Sequence, residues 1–176
     1  MLTPDGSRRV AALKLMAFDV DGILTDGRLW YADDGSEFKA FNARDGHGIK
    51  MLRDAGLKLA IITSRRSAIV ERRARELGVH YCFQGVEAKL PAFNDLLSEL
   101  HLDAAQAGYM GDDLLDLPVL VRAGFAATVP EAPAPLLARA HYTTRLPGGA
   151  GAVREVCELI LDQQGLMAGI IAGYLA

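Results

Sequence analysis

The sequence predicts an α/β protein, a Rossmann-like, doubly wound parallel sheet with helices on both faces and a small β-hairpin after the first strand. Three observations predict it. Short continuous apolar runs bounded by turn signals alternate with helix-period segments, the pattern of strands buried on both faces and joined by crossover helices. Several helical segments close on glycine, as helix C-termini commonly do. A single segment breaks the alternation, and it carries a hairpin signal.

The first strand is expected at LKLMAF (13–18). The exceptional segment follows, RLWYADDGSEFKAF (28–41), with two short aromatic pieces around Asp33-Asp34-Gly35, a turn that folds a hairpin into a flap. Helices are expected at 45–56, 67–78, 87–101 and 113–124, and the intervening strands at 56–63, 79–83, 107–110 and 125–129. PEAPAP (130–135) reads as a proline-rich turn into a short helix, LLARA. A glycine loop and a further helix occupy 145–165, with apolar residues at 153, 156, 159 and 160. The tail LMAGIIAGYLA (166–176) is almost wholly apolar, so it must pack on its own domain or on another subunit. The second is expected, because the sheet and its helices read as complete before it.

No repeat or low-complexity linker divides the 176 residues, so 1–176 is read as one domain. With 51% hydrophobic and 23% charged residues and a net charge of −3, the chain lacks the positive field that grips nucleic acid or an anionic membrane. No run approaches the ~18 apolar residues that span a bilayer. The N-terminal basic residues precede only a short apolar run with no small-residue cleavage site, and a cytoplasmic protein is expected. Cys82 and Cys157 have no CxxC neighbour and are expected to be buried free thiols.

FDVDGILTDG (18–27) crowds aspartates 19, 21 and 26 into an apolar, glycine-rich stretch. In parallel α/β sheets reactive groups collect at the carboxyl ends of the strands. There the first strand delivers Asp19 and Asp21, and the second Thr63 with Ser64, Arg65 and Arg66. The loop after the third delivers Lys89, and the fourth delivers Asp112 and Asp113. If the backbone stays extended, Asp19 and Asp21 leave on the same side. Four carboxyls in one pocket cannot all ionise without a cation between them. Oxygen ligands with no nearby histidine or cysteine cluster point to Mg²⁺ rather than zinc. Mg²⁺ in turn implies a phosphorylated substrate, with Lys89 and the Thr63 hydroxyl completing the phosphate cradle. A carboxylate can also act as nucleophile while a second one moves the proton, and Asp19 and Asp21 suit those two parts.

These motifs, DVDGILTDG, IITSRRS, Lys89 and GDDLLD, resemble in order the four motifs of the haloacid dehalogenase superfamily. The resemblance implies that Asp19 attacks phosphorus, Asp21 is the general acid/base, and Thr63 and Lys89 hold the phosphoryl oxygens. It places Asp112 in the metal site with Asp19 and the Asp21 main-chain carbonyl, and Asp113 and Asp116 behind them. FNARDGHGIKML, FQGVEAK, GDDLLDLPVL and RLPGGAGAVREVCELIL are similar to the 3-deoxy-D-manno-octulosonate 8-phosphate phosphatases over nearly the whole chain. That family implies a capless fold with a hairpin flap and a homotetramer whose neighbouring subunits complete the active sites. It also implies a small phosphorylated sugar acid substrate met by Asp21, Thr63, Ser64, Arg65 and Lys89.

Ser64 departs from the glycine usual after the motif threonine and should trim the pocket. Arg65 stands where relatives acting on nine-carbon sugar acids tend to carry glutamate, which favours the eight-carbon octulosonate over an N-acylneuraminate or other nonulosonate 9-phosphate. A non-catalytic oligomeric module of the same fold is disfavoured, since it would have no need for buried like charges. Asp26 with Gly27 reads as a turn. His47, between two glycines, leaves contact with substrate and exposure to solvent both open. Arg72, Arg73 and Arg75 are expected on a solvated helix face, and the GGAG loop (148–151) as a tight turn positioning Arg145 and Arg154.

Overall fold

The computed structural model describes residues 4–175; Ala176, which ends the apolar tail, and residues 1–3 lie outside them. In chain order the elements are α1 (Pro4–Ala11), β1 (Leu15–Phe18), β2 (Trp30–Tyr31), β3 (Glu37–Phe38), α2 (Ala43–Asp54), β4 (Lys58–Thr63), α3 (Ala68–Leu77) and β5 (Tyr81–Gln84). There follow α4 (Lys89–Glu99), β6 (Ala107–Met110), α5 (Leu117–Arg122), β7 (Phe125–Thr128), α6 (Ala134–Leu137), β8 (Tyr142–Thr143), α7 (Ala152–Gln163) and α8 (Met167–Leu175). Six strands form one sheet in the order β5-β4-β1-β6-β7-β8, and every pair in it is parallel. All residues of β1, β6 and β7 are buried, which requires cover on both faces. One group of helices is built on α7 packed against α2 and α1, another on α4 packed against α5.

The chain winds outward from β1 to β4 and β5, then crosses to β6 and continues outward to β8. Winding therefore reverses between β1 and β6, the place where open α/β sheets form a crevice. Register sets what projects there. Phe18 pairs with Ile61 on one side and Met110 on the other, so Asp19 and Asp112 lie just past the carboxyl edge and Thr63 ends β4 beside them. Beside it, β2 and β3 pair antiparallel, Trp30 with Phe38 and Tyr31 with Glu37. The turn between them is closed by Gly35 N–H to the Ala32 carbonyl (2.9 Å) and by Asp34 accepting from the Ser36 main chain (2.9 Å).

Several expectations need correction. The helix expected over 113–124 spans only Leu117–Arg122, because residues 113–116 turn to bring Asp116 under the preceding loop. The polar α1 and the two-residue β8 carry no apolar run to announce them. Cys157 is buried, but Cys82 is exposed, since β5 is an edge strand. The tail is not free of its own domain, for Met167 and Ile170 of α8 rest against the core while Ile171, Tyr174 and Leu175 remain exposed. Among the described residues no single helix is long and apolar enough to cross a membrane.

Candidate active site

The loop after β1 does not stay extended. The Val20 carbonyl accepts the N–H groups of Ile23, Leu24 and Thr25 at 2.9–3.2 Å, curling the chain into a turn directly after Asp19. Asp19 and Asp21 therefore diverge instead of leaving on one side. Asp19 turns into the sheet crevice, where its Oδ1 lies 2.8 Å from Lys89 Nζ. Asp21 turns towards the hairpin, where Oδ1 accepts from Lys39 Nζ and Oδ2 lies 3.7 Å from Arg65 Nε. The turn needs glycine at 22, whose φ is +91° and whose missing Cβ would fall 1.9 Å from Asp112 Oδ2.

Asp116 organises the interior. Its Oδ1 accepts from Lys89 Nζ and from the Tyr109 hydroxyl, both at 2.6 Å. Its Oδ2 accepts the main-chain N–H groups of Asp112 (3.0 Å) and Asp113 (3.1 Å). Lys89, the first residue of α4, is held at 2% side-chain exposure between Asp19 and Asp116. Burial disfavours its charge, yet the two carboxylates beside it outweigh that and raise its pKa. Asp19 is pushed up to about 7, by burial first and then by the Asp116 charge. Asp112 is likewise pushed to about 7, by burial, then Asp116, then Asp113.

Oxygens of Asp19, Asp112 and Asp116 lie within 4.8 Å of one another, so three carboxyls face one ammonium and the cluster is short of positive charge. Asp116 has all its hydrogen bonds made, whereas the buried Asp112 Oδ1 has no hydrogen-bond partner. The donor set is all oxygen. That fits Mg²⁺ held by Asp19 and Asp112, with Asp116 fixing Lys89 and the Asp112 loop. The Asp21 side chain stands outside this cluster.

The cleft holds about 240 Å³ and is lined by Asp19, Asp21, Thr63, Ser64, Arg65, Lys89, Asp112, Asp113 and Asp116, among others. Of the residues expected at the strand ends all line this cleft except Arg66, whose guanidinium lies against Gly85. Thr63, buried at the end of β4, accepts the Arg65 N–H on Oγ1 at 3.4 Å. The arginine reaches across to donate to the Tyr31 hydroxyl of the hairpin.

No protein-family model matches the chain. The 3-deoxy-D-manno-octulosonate 8-phosphate phosphatase KdsC of Yersinia pestis is 45% identical over 165 residues, covering 94% of this chain and 88% of its own. The chain belongs to this phosphatase family, within the haloacid dehalogenase superfamily. A solved probable YrbI family phosphatase from Pseudomonas syringae superposes with a TM-score of 0.96 at 50% identity and 99% coverage of both chains. The 3-deoxy-D-manno-octulosonate 8-phosphate phosphatase from Moraxella catarrhalis, solved with magnesium ion, phosphate ion and KDO, gives 0.95 at 44% identity, with 97% and 98% coverage.

In this member of the phosphatase family the GGAG loop is a buttress for the turn that follows Asp19. A Cβ at Gly148 would fall 1.8 Å from the Gly22 carbonyl oxygen, and Gly149 N–H donates to the Ile23 carbonyl at 3.0 Å. Asp45 of α2 then accepts from Gly151 N–H (3.2 Å) and Arg154 N–H (2.7 Å), capping α7 from a neighbouring helix. Asp26 accepts from Arg28 N–H at 3.0 Å, an Asx turn outside the cluster. His47 faces neither the cleft nor open solvent alone, since its ring nitrogens meet the Tyr174 hydroxyl (2.7 Å) and Arg154 (2.9 Å). Arg72 and Arg75 form exposed i,i+4 pairs with Glu76 and Glu71, but Arg73 turns inward over the Phe41 ring.

Sequence reasoning missed Lys39, Glu37 and the central place of Asp116. The third had a signal, a carboxylate one helical turn beyond the Gly-Asp-Asp motif. The first two had none, because a lysine and a glutamate on a hairpin read as solvated.

Proposed function

We propose that this chain is a Mg²⁺-dependent phosphatase that hydrolyses 3-deoxy-D-manno-octulosonate 8-phosphate to the free sugar acid and phosphate, a cytoplasmic step toward lipopolysaccharide. The observation that carries the reading is the buried Asp19–Lys89–Asp112 cluster at the switch point, in a chain 45% identical to a phosphatase of that name.

Asp19 is the nucleophile. An Oδ atom forms a bond to phosphorus as the bond from phosphorus to the sugar oxygen breaks, and that oxygen leaves with the electron pair and takes a proton from Asp21. Asp21 then takes a proton from water, whose oxygen attacks the aspartyl-phosphate; the bond to Asp19 breaks, phosphate leaves, and Asp21 has regained its proton. Lys89 and the Thr63 hydroxyl, both buried, hold the phosphoryl oxygens, and low exposure strengthens such contacts. Asp19, Asp112 and the Asp21 main-chain carbonyl would hold Mg²⁺, which would supply positive charge to the transferring group. Ser64 and Arg65 meet the sugar acid, whose carboxylate the guanidinium would bind.

The reading includes a homotetramer in which a neighbouring subunit closes the cleft. At about 240 Å³ the cleft of one subunit falls just below the ~300–1,000 Å³ usual for a ligand site. The exposed Trp30, Tyr31 and Phe38 of the hairpin and Ile171, Tyr174 and Leu175 of the tail offer apolar surface for such contacts. Neither nucleic acid nor a membrane is a partner in this reading.

Phosphate release from a panel of sugar acid phosphates with Mg²⁺ tests it. The octulosonate 8-phosphate should give the highest kcat/KM, and Arg65→Glu should erode its lead over a nonulosonate 9-phosphate. A wild-type preference for the nine-carbon substrate would reject the assignment. Removing residues 166–176 should change mass by light scattering or turnover; no change in either would count against the tetramer.

A further inference from the structure

Lys39 is a lysine whose side chain is 1% exposed although it sits on an otherwise solvated hairpin. Its Nζ donates to Asp21 Oδ1 and lies 3.4 Å from Glu37 Oε1. Glu37 is anchored in turn by the Ser67 hydroxyl, which donates to Oε2 at 2.8 Å. Ser67 opens α3 just after the Thr63–Arg65 segment that lines the cleft. The hairpin's large apolar side chains, Trp30, Tyr31 and Phe38, are left more than half exposed. What seats it is therefore polar, through Lys39 on Asp21, Ser67 on Glu37 and Arg65 on the Tyr31 hydroxyl.

A buried ion pair is a poor way to gain stability, since an apolar side chain of similar volume does as well or better. Immobilising a lysine also costs it rotamer freedom. Such a pair makes sense where it fixes one orientation of its partner. Asp21 is held by Lys39 on Oδ1, while Oδ2 faces Arg65 Nε at 3.7 Å. Two buried atoms of the same network, Glu37 Oε1 and Arg65 Nε, make no hydrogen bond, so the network is under-satisfied at its own expense while Asp21 is held.

We infer that Lys39 is a positioning residue for Asp21: it holds the carboxyl in the orientation from which the proton is given to the sugar oxygen and taken from water, and so ties hairpin seating to turnover. This rests on the proposed role of Asp21.

The test compares full-length wild type, Lys39→Met and Lys39→Arg, each confirmed folded by circular dichroism melting. On the octulosonate 8-phosphate, Lys39→Met should lower kcat about 100-fold, the scale of a misplaced reacting group, with KM within about threefold. Lys39→Arg, which restores a donor to Asp21, should recover to within about tenfold of wild type. With p-nitrophenyl phosphate, whose leaving group needs no proton, the first burst of nitrophenolate in Lys39→Met should match wild type in amplitude and nearly in rate. Steady turnover, which needs water activated, should fall. Wild-type kcat in Lys39→Met, or a burst amplitude reduced in step with turnover, would overturn the role of Lys39 and leave the phosphatase reading intact. A wild-type protein that releases no phosphate would overturn both.

Discussion

Lys89 Nζ and Asp116 Oδ1 are 2.6 Å apart with both side chains almost wholly buried, and the Asp112 and Asp113 amides bind the other Asp116 oxygen. One carboxylate thus fixes both Lys89, the proposed phosphate-binding cation, and the loop of Asp112, the proposed metal ligand. Asp116→Asn removes the charge and forces an amide NH₂ against a donor. A loss of about 3 kcal/mol in urea unfolding is expected, the low end for breaking a buried pair, together with weaker Mg²⁺ binding. Unchanged stability and metal affinity would contradict this placement.

Asp19 and Asp112, each raised to about 7, hold protons in the metal-free protein below that pH. A cation must displace those protons, so Mg²⁺ affinity should fall from pH 8 to pH 6, and calorimetry in buffers of different ionisation enthalpy should register proton release. Asp19→Asn should abolish turnover and weaken Mg²⁺ binding, while leaving the metal-free thermal midpoint equal or higher, because it removes one of the crowded charges. Full activity in that variant would end the nucleophile assignment.

Gly148 and Gly169 separate packing from propensity. A methyl at 148 collides with the Gly22 carbonyl, and the neighbour is backbone that cannot swing away. Gly148→Ala should therefore cost about 1–3 kcal/mol and depress kcat by disturbing the turn that carries Asp19 and Asp21. Gly169→Ala meets open space on exposed α8 and should change stability by under about 1 kcal/mol, in the stabilising direction. Chemical denaturation and steady-state kinetics on the pair check both.

Glu155 ties α7 to β8 by accepting from the Tyr142 hydroxyl (2.7 Å) and the Arg145 N–H (3.1 Å). Burial pushes its pKa up, but these bonds outweigh it and the net shift is downward from 4.5. A depressed carboxyl stabilises the fold fully above its unfolded pKa and loses that contribution as pH falls through the folded value. Glu155→Gln should thus be about 1–2 kcal/mol less stable at pH 7, with the gap to wild type closing below about pH 4.5. Urea midpoints at several pH values measure it; a gap independent of pH would show that the charge is idle.

The strands that build the sheet centre were legible because each is an apolar run between turn signals, and the cleft residues because they follow those runs directly. Asp19, Thr63, Lys89 and Asp112 could be placed together from the sequence alone, since parallel winding sends successive strand ends to one edge. The direction each side chain takes there was decided only by the tertiary structure. The turn at Val20 parts Asp21 from Asp19, Lys39 arrives from a hairpin 18 residues on, and Asp116 comes to rest between Lys89 and two amides. Asp45 and the Gly148 buttress belong to the same class, contacts between elements far apart in the chain. Periodicity and turn chemistry are local and can be read in order; hydrogen-bond partners and close packing depend on which surfaces meet after folding.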